Sequence, residues 1–352
     1  MIDTNGKNII ATGLIIGVSG FPARYCTFQN NSGTISTVDI NGSITINTTD
    51  ASGINQIIAN NINFTVSGSW TNNDTFTAGN STVTFDGTGT QNITSGGSSF
   101  NNLTHTGAGT LQLATNGLSV GGTFTNSAGT FDANALTNTV TGLTTVSGGT
   151  YLASTNTQTL TGGLTVDGGT FSGSTGGVTT GTVTLSSGTL TAPSGSFNVT
   201  GNWTVSGGTF VPGTGTVTFS ATAGTQNLNS GGLSFYNIRV PGNTSSATLL
   251  LTSNLHCTYQ IWVSSGTFDE NGYNVNSDVD MGLDGGTWYA RTGTTTAGNF
   301  YVYSYFSTAN FIAGSGTISV GDLSLYQYLG SGKVNGTFIA CRAPFATATF
   351  RY

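Results

Sequence analysis

A phrase of about 20 residues recurs through residues 107–210, and this period limits the possible folds more than any other feature. A Gly-Thr-apolar step, at spacings of 20, 20, 20, 19 and 20 residues, aligns six pairs in one column: Thr110-Leu111, Thr130-Phe131, Thr150-Tyr151, Thr170-Phe171, Thr189-Leu190 and Thr209-Phe210. One unit this short cannot bury its apolar side alone, so each must stack on the unit before it. The period therefore predicts an all-β, single-chain β-solenoid (a parallel β-helix) with rungs of about 20 residues.

The composition agrees with short strands broken by turns. Charged residues make up 6% of the chain, there are 54 Gly, and threonine alternates with single apolar residues. This mixture disfavours helix, and a hydrophobic fraction of 36% with 20 Phe argues against disorder. Within a rung we expect Leu164 and Val166 to point inward and Thr165 outward. We expect glycine and asparagine at the corners, including Asn138, Asn156 and Asn198.

A larger duplication overlies the rungs. Four phrases of a first copy return in a second: Val83-Thr84-Phe85, Thr90-Gln91-Asn92, Ser95-Gly96-Gly97 and Ser99-Phe100 recur as Val217-Thr218-Phe219, Thr225-Gln226-Asn227, Ser230-Gly231-Gly232 and Ser234-Phe235. Over residues 65–275 this phrasing resembles the Gly/Thr/Asn-rich β-strand repeats of large secreted bacterial and archaeal surface proteins of the filamentous-haemagglutinin or adhesin kind. The resemblance implies a solenoid and a surface location, and it brings no active site to transfer.

The two ends differ from the repeats between them. We predict an N-terminal cap or subunit-contact segment over residues 1–64, solenoid repeats over 65–275, and an aromatic-rich solenoid end or cap over 276–352. The first segment is rich in isoleucine, but Leu14-Ile15-Ile16 is too short for a membrane-spanning helix and no basic start of a secretory leader precedes it. A capping strand and a strand donated to a neighbouring subunit are both compatible with it.

Aromatic residues concentrate near the C-terminal end. In residues 300–306 the alternation places Tyr301, Tyr303 and Tyr305 on one face and Phe300, Val302 and Phe306 on the other. An outward row of tyrosines is a candidate binding surface for sugar rings or another receptor. A contact between protomers, or a packed cap, explains the same residues.

Residues with catalytic or metal-binding chemistry are few. His105 and His256 are not spaced as a metal pair or a triad, and we expect both on the surface or at corners. An adjacent His256-Cys257 pair is a poor nucleophile arrangement because catalytic partners are rarely neighbours in sequence. Cys26, Cys257 and Cys341 form no zinc motif and no disulfide framework. We predict no catalytic residue and no cofactor.

One acidic cluster stands out: Asp269, Glu270, Asp278, Asp280 and Asp284. Asp278, Asp280 and Asp284 are a weak calcium candidate, although their spacing does not fit an EF-hand. Asp278 and Asp280 alternate with Val279 and Met281, so both can project outward as a carboxylate pair that cleaves glycosidic bonds. Solvated turn carboxylates are the simpler interpretation.

The charge and the repeats together indicate a class of function. A net charge of −6 argues against binding of nucleic acid and of anionic membrane surfaces, and no segment predicts membrane insertion. We expect a non-enzymatic structural protein, extracellular or on the cell surface, that acts as a filament subunit or adhesin. It would self-associate through the solenoid ends and could bind a glycan or cell-surface receptor. The alternatives are a virion fibre that binds host glycans and a solenoid enzyme that degrades polysaccharides.

Overall fold

The computed structural model describes residues 1–17, 25–48, 53–240, 246–304 and 309–327. In this part of the chain the secondary structure is entirely β, and the parallel strands stack as a β-solenoid with rungs of about 20 residues. The predicted fold class is therefore confirmed. No helix that is long and apolar enough to span a membrane occurs among the described residues.

The chain forms two compact units, the first comprising residues 1–178 and 186–191. The strands of unit 1 are β1 Ile2–Asp3, β2 Ile9–Ala11, β3 Leu14–Ile16, β4 Cys26–Gln29, β5 Ser36–Ile40, β6 Ile44–Ile46, β7 Asn55–Ile58, β8 Ile62–Val66, β9 Trp70–Asn72, β10 Thr75–Thr77, β11 Thr82–Phe85, β12 Thr90–Thr94, β13 Asn102–His105, β14 Thr110–Leu113, β15 Leu118–Val120, β16 Phe124–Asn126, β17 Thr130–Asp132, β18 Asn138–Val140, β19 Thr144–Val146, β20 Thr150–Leu152, β21 Gln158–Leu160 and β22 Leu164–Ser172.

Unit 2 comprises residues 179–185 and 192–352, and two strands, β23 Val178–Thr180 and β24 Val183–Thr191, contribute residues to both units. The remaining strands are β25 Ser196–Val199, β26 Trp203–Val205, β27 Thr209–Val211, β28 Thr216–Phe219, β29 Thr225–Asn229, β30 Ser234–Val240, β31 Thr248–Leu251, β32 Leu255–Val263, β33 Thr267–Asp269, β34 Val275–Leu283, β35 Gly286–Ala290, β36 Thr294–Ser304, β37 Ala309–Ala313 and β38 Thr317–Gln327. The predicted boundaries at residues 64/65 and 275/276 stay a prediction.

Within unit 1, each rung adds a strand to stacks of parallel strands. One stack runs β2-β5-β8-β11-β13-β16-β19-β22, and a second runs β3-β6-β9-β12-β14-β17-β20-β22. Strands β15, β18 and β21 form a third. The first rungs are longer than the middle ones, since Val38 pairs with Ile9, which lies 29 residues earlier.

The repeated Gly-Thr-apolar step forms a column of buried rings. Phe131 pairs in register with Tyr151, and Tyr151 pairs with Phe171. The ring centroids are 4.9 Å apart in the first pair and 5.0 Å in the second, and all three side chains are fully buried. The Tyr151 hydroxyl donates to Gln158 Oε1 at 2.9 Å and accepts from Asn138 Nδ2 at 2.5 Å. The core is therefore a stack of equivalent residues, as the period predicts.

The duplication in the sequence is also a duplication of structure. Gln91 Nε2 in unit 1 donates to the carbonyl oxygens of Val66 and Gly68, and its counterpart Gln226 in unit 2 donates to those of Val199 and Gly201. Equivalent triplets of aromatic rings accompany each glutamine: Trp70, Phe76 and Phe100 in unit 1, and Trp203, Phe210 and Phe235 in unit 2.

Tight corners explain part of the glycine content. Gly149 has a φ of +58°, and a Cβ atom there would lie 2.1 Å from the carbonyl oxygen of Gly129 on the preceding rung. Only Asn156 of the three predicted corner asparagines lies at a bend between strands. Asn138 is fully buried in β18 and Asn198 lies in β25, because both continue the alternation of a strand.

The expectation of a surface or corner position for His105 is wrong. His105 is fully buried at the end of β13, two residues after the inward Leu103, so the strand alternation places it in the core. Its Nδ1 lies 2.7 Å from Asn126 Oδ1. Burial lowers the pKa of the imidazole, which favours its neutral form.

Replacing Phe131 with alanine tests the ring column. We expect the free energy of unfolding to fall by about 3–5 kcal/mol, because the change leaves a cavity between Leu111 and Tyr151. Chemical denaturation followed by circular dichroism measures this. Leu152→Ala is the control, since Leu152 points outward and is 37% exposed, and its cost should stay below about 1 kcal/mol. Equal losses for the two variants would contradict a stacked core.

Candidate binding face

An outward face in unit 2 carries the predicted tyrosines. Strands β32, β34, β36 and β38 pair in parallel, and Phe300 and Val302 of β36 are buried beneath them. Tyr301 and Tyr303 alternate with those two residues and are half-buried on the opposite, outward side. Tyr305, the third predicted binding residue, lies outside the described residues.

Two further aromatic residues complete this face, which we call the aromatic face: Trp262, Tyr301, Tyr303 and Tyr326. The Tyr303 and Tyr326 rings are paired in register, 4.8 Å apart and inclined by 10°. The Tyr303 ring also has two other neighbours: the Tyr301 ring lies 6.0 Å from it and the Trp262 ring 5.9 Å from it. The tyrosines therefore cover part of each other's faces. Sequence reasoning missed Trp262 and Tyr326 because only the strand register brings them to Tyr303.

The indole of Trp262 lies against the backbone of Gly282, where any other residue would place a side chain. It lies two strands away from Tyr301, and Gly282 occupies the in-register position between them. A Cβ atom at Gly282 would lie 2.2 Å from both Cε3 and Cζ3 of the indole and 2.5 Å from Cδ2. Since three ring atoms are almost equally close, the ring presents a face to the glycine and turns its other face outward. The glycine creates an aromatic platform.

Polar side chains form a row beside the aromatic face. Gln260, Asp280, Asn299 and Asp322 follow one another in register on the four strands. Asp280 accepts hydrogen bonds from Gln260 Nε2 at 3.1 Å and from Asn299 Nδ2 at 2.9 Å. Partial burial, followed by the charge of Asp280, raises the pKa of the Tyr301 hydroxyl, which keeps it a neutral donor. The row supplies oriented amides and carboxylates next to flat rings.

A shallow depression adjoins Trp262 on the side that faces the preceding rung. Its lining includes Asn237, Arg239, Gln260 and Trp262. Arg239 pairs in register with Trp262, and its Nη2 lies 3.3 Å from Ser264 Oγ. Amide and guanidinium donors therefore surround the platform where the neighbouring tyrosines do not cover it. A flat ligand with several hydroxyl groups fits such a surface.

The acidic cluster does not come together as one site. Asp269 forms a bidentate ion pair with Arg291, whose Nη2 lies 2.6 Å from Asp269 Oδ2. Asp278 is exposed and bonded to His256 and Asn276, whereas Asp280 belongs to the polar row. No group of three or more His, Cys, Asp or Glu side chains placed to hold a metal ion occurs in the described part of the chain.

Strand β34, which carries Asp278 and Asp280, departs from simple inward and outward alternation. The pairing of β34 with β36 is irregular between Ser277 and Asp280, so Asp278 and Val279 are both exposed. Asp278 and Asp280 do point outward, as the sequence suggests, but Asp278 lies within the irregular stretch and Asp280 lies at its end. Asp284 is half-buried further along the chain. His256 faces outward and the fully buried Cys257 faces inward, so these neighbours do not act as a pair.

Glu270 is the acidic residue of the cluster that is fully enclosed in the core, whereas Asp269 keeps 9% of its surface exposed. Glu270 is fully buried, and its Oε1 accepts hydrogen bonds from Trp288 Nε1 at 2.9 Å and from Thr295 Oγ1 at 2.7 Å. Its Oε2 is buried without a hydrogen-bond partner among the described residues. Burial raises the pKa of this carboxyl to about 7, so it takes up a proton more readily than an exposed glutamate.

The Glu270→Gln variant should change how stability depends on pH. The carboxyl keeps its proton up to about pH 7 in the folded chain but only to 4.5, its ordinary value, when unfolded. Its contribution is therefore complete below pH 4.5 and is lost as pH rises to about 7, a change of roughly 3 kcal/mol. Urea denaturation at pH 4.5 and 7.5 should show a smaller loss with pH in the variant. Equal losses in both proteins would contradict a protonated core carboxyl.

The Gly282→Ala variant tests the platform without removing an aromatic ring. The other three tryptophans, Trp70, Trp203 and Trp288, are fully buried, so acrylamide quenching of fluorescence reports on Trp262. We expect quenching to increase by at least half, because the added methyl group displaces the indole from the sheet. Gly89→Ala is the control, since a Cβ atom there meets nothing within 4 Å. Unchanged quenching in G282A would refute the stacking.

Comparison with known proteins adds no assignment to this geometry. No protein-family model matches the chain, and neither a curated protein nor a solved structure is significantly similar to it. What the aromatic face does is therefore inferred from its own shape and chemistry. The Trp262 platform, the polar row and the adjoining depression are the features that a functional proposal has to explain.

Proposed function

We propose that the chain is a β-solenoid surface protein of the adhesin or filament kind, and that its aromatic face binds glycans. The observation that carries the proposal is the outward face of Trp262, which lies beside a depression lined by Asn237, Arg239 and Gln260. The resemblance of residues 65–275 to the repeats of secreted surface proteins supports the same function.

The physical basis is the two-sided nature of a sugar ring. The C–H groups of a pyranose form an apolar face that packs on an aromatic ring, whereas its hydroxyl groups need donors and acceptors at the edge. Trp262 offers the ring, and Asn237 and Gln260 offer the amides. An ordered side chain loses little entropy on binding, and the backbone of Gly282 already supports the indole.

The charges on this face select among glycans. Asp280 and Asp322 lie in the row beside Tyr301, and the chain has a net charge of −6. Carboxylates repel uronic and sialic acids, and they accept hydrogen bonds from neutral sugars. We therefore expect neutral or amino-sugar polymers as ligands. Arg239, at the other side of Trp262, adds a donor near the depression.

Self-association is part of the proposal. Ile10 and Ile15 are 75% and 70% exposed on β2 and β3, and their in-register partners on the next rung are Asp39 and Thr45. Outward isoleucine at positions that are otherwise polar supports a contact with another copy of the chain. Electron microscopy distinguishes the assemblies: filaments or single particles fit a filament subunit or adhesin, and a tight trimer fits the alternative of a virion fibre.

Glycan arrays followed by titration calorimetry test the binding function. The unmodified chain should bind neutral or amino-sugar glycans, and Trp262→Ala should weaken binding at least tenfold, equivalent to about 1.4 kcal/mol. Tyr25→Ala is the control, because Tyr25 is 69% exposed but lies in unit 1, and it should bind as the unmodified chain does. Binding that is unaffected by W262A, or confined to acidic glycans, would contradict the proposal.

A further inference from the structure

Three side chains on successive rungs of unit 2 form a hydrogen-bonded chain outside the aromatic face. Ser234 of β30 pairs in register with His256 of β32, and Ser234 Oγ lies 2.7 Å from His256 Nδ1. His256 Nε2 lies 3.0 Å from Asp278 Oδ1 on β34. The side chains of His256 and Asp278 are 39% and 48% exposed, so the chain is open to solvent.

The order of the residues fixes the direction of the hydrogen bonds. An ionised carboxylate can only accept, so His256 Nε2 carries the proton that is donated to Asp278. In the neutral imidazole, Nδ1 is then the unprotonated nitrogen and accepts from the Ser234 hydroxyl. The hydroxyl therefore donates to a base that is itself oriented by a carboxylate. This is the arrangement of a nucleophile, a general base and an orienting group.

A second layer of contacts holds the carboxylate in place. Asp278 Oδ1 also accepts from Asn276 Nδ2 at 2.9 Å, and Asn276 Oδ1 accepts from Thr296 Oγ1 at 2.5 Å. Asn276 pairs in register with His256, and Thr296 pairs with Asn276. The hydrogen bond from His256 is the largest cause that lowers the pKa of Asp278, so the carboxylate stays ionised.

The duplication shows that the repeat itself does not require this chain of residues. Ser99 is the counterpart of Ser234 in the first copy, and its hydroxyl donates to Ser119 Oγ at 2.9 Å. Ser119 in turn pairs with Thr139. The first copy therefore places a serine where the second has a histidine, and the hydroxyl of Ser119 is not a base that could activate Ser99. The imidazole and the carboxylate are specific to the second copy.

We propose that Ser234 is the nucleophile of an esterase site that cleaves short-chain carboxylic esters, with His256 as general base and Asp278 as a positioning residue. Ser234 Oγ attacks the ester carbonyl carbon while its proton passes to His256 Nδ1. The bond to the alcohol oxygen breaks, and that oxygen takes the proton. Water then attacks the acyl-serine through the same base, and the carboxylic acid leaves as Ser234 recovers its proton.

The adjoining surface favours a small acyl group, because it offers a long acyl chain little burial. A depression beside His256 is lined by Gly232, Asn254, Asn274 and Asn276, and it is open and shallow. Asn254 Oδ1 and Asn274 Oδ1 each accept a backbone N–H of the next rung, at 3.0 and 2.8 Å. These bonds fix the two side-chain amides, and we assign their Nδ2 groups as donors to the carbonyl oxygen of an ester bound beside His256. An open depression suits an acetyl group better than a long acyl chain.

Hydrolysis of p-nitrophenyl acetate by the full chain tests the esterase site. We expect turnover above the buffer rate, and Ser234→Ala and His256→Gln should lower kcat/KM at least tenfold. Asp278→Asn should lower kcat and leave KM unchanged, because Asp278 acts through His256. Mass spectrometry of the quenched reaction should place an acetyl group on the peptide that contains Ser234.

The matched control is Ser99→Ala, which removes the equivalent serine of the first copy and should leave the rate unchanged. Melting temperatures of all variants verify that the solenoid is intact, and Ser234 is only half-buried, so little change is expected. Equal rates for the unmodified chain and S234A, or acetylation of Ser99 to the same extent as Ser234, would overturn the assignment.

Discussion

In-register parallel hydrogen bonding between rungs is the constraint on which each unit of this structure depends. It places each residue directly above its equivalent about one strand spacing away, roughly 4.8 Å. Inward positions then become columns of like side chains, and the Phe131, Tyr151 and Phe171 rings pack on one another with centroids 4.9 and 5.0 Å apart. The stability of a unit is a sum over such neighbouring contacts, so a narrow core with few charges suffices.

The same constraint organises the outer surface. Residues some 20 positions apart in the chain become neighbours, so a hydroxyl, an imidazole and a carboxylate on separate rungs form the chain Ser234-His256-Asp278. Rings stack on each other by the same rule, as Tyr303 does on Tyr326. The first copy of the duplication has the same backbone pattern without this chemistry. Function in this fold is therefore a matter of which side chains occupy an outward column.

Glycine has two separate roles in this arrangement. At a corner such as Gly149, the backbone of one rung approaches the carbonyl oxygen of the rung before it, and no Cβ atom fits. In the middle of β34, Gly282 has no unusual backbone angle, and its role is to leave room for the indole of Trp262. The first kind of glycine is required by the fold, whereas the second shapes a surface and can be replaced without backbone strain.

The sequence by itself determined the solenoid, the rung length and the direction of side chains within regular strands. The 20-residue period and the alternation of apolar and threonine residues, as at Leu164 and Val166, encode them directly. Alternation also places His105 in the core, although we expected it on the surface or at a corner. Only the tertiary structure decided which outward residues meet, because rung lengths vary and the pairing of β34 with β36 shifts register beside Asp278. Register between rungs depends on many backbone contacts at once, so it cannot be predicted from a short stretch of sequence.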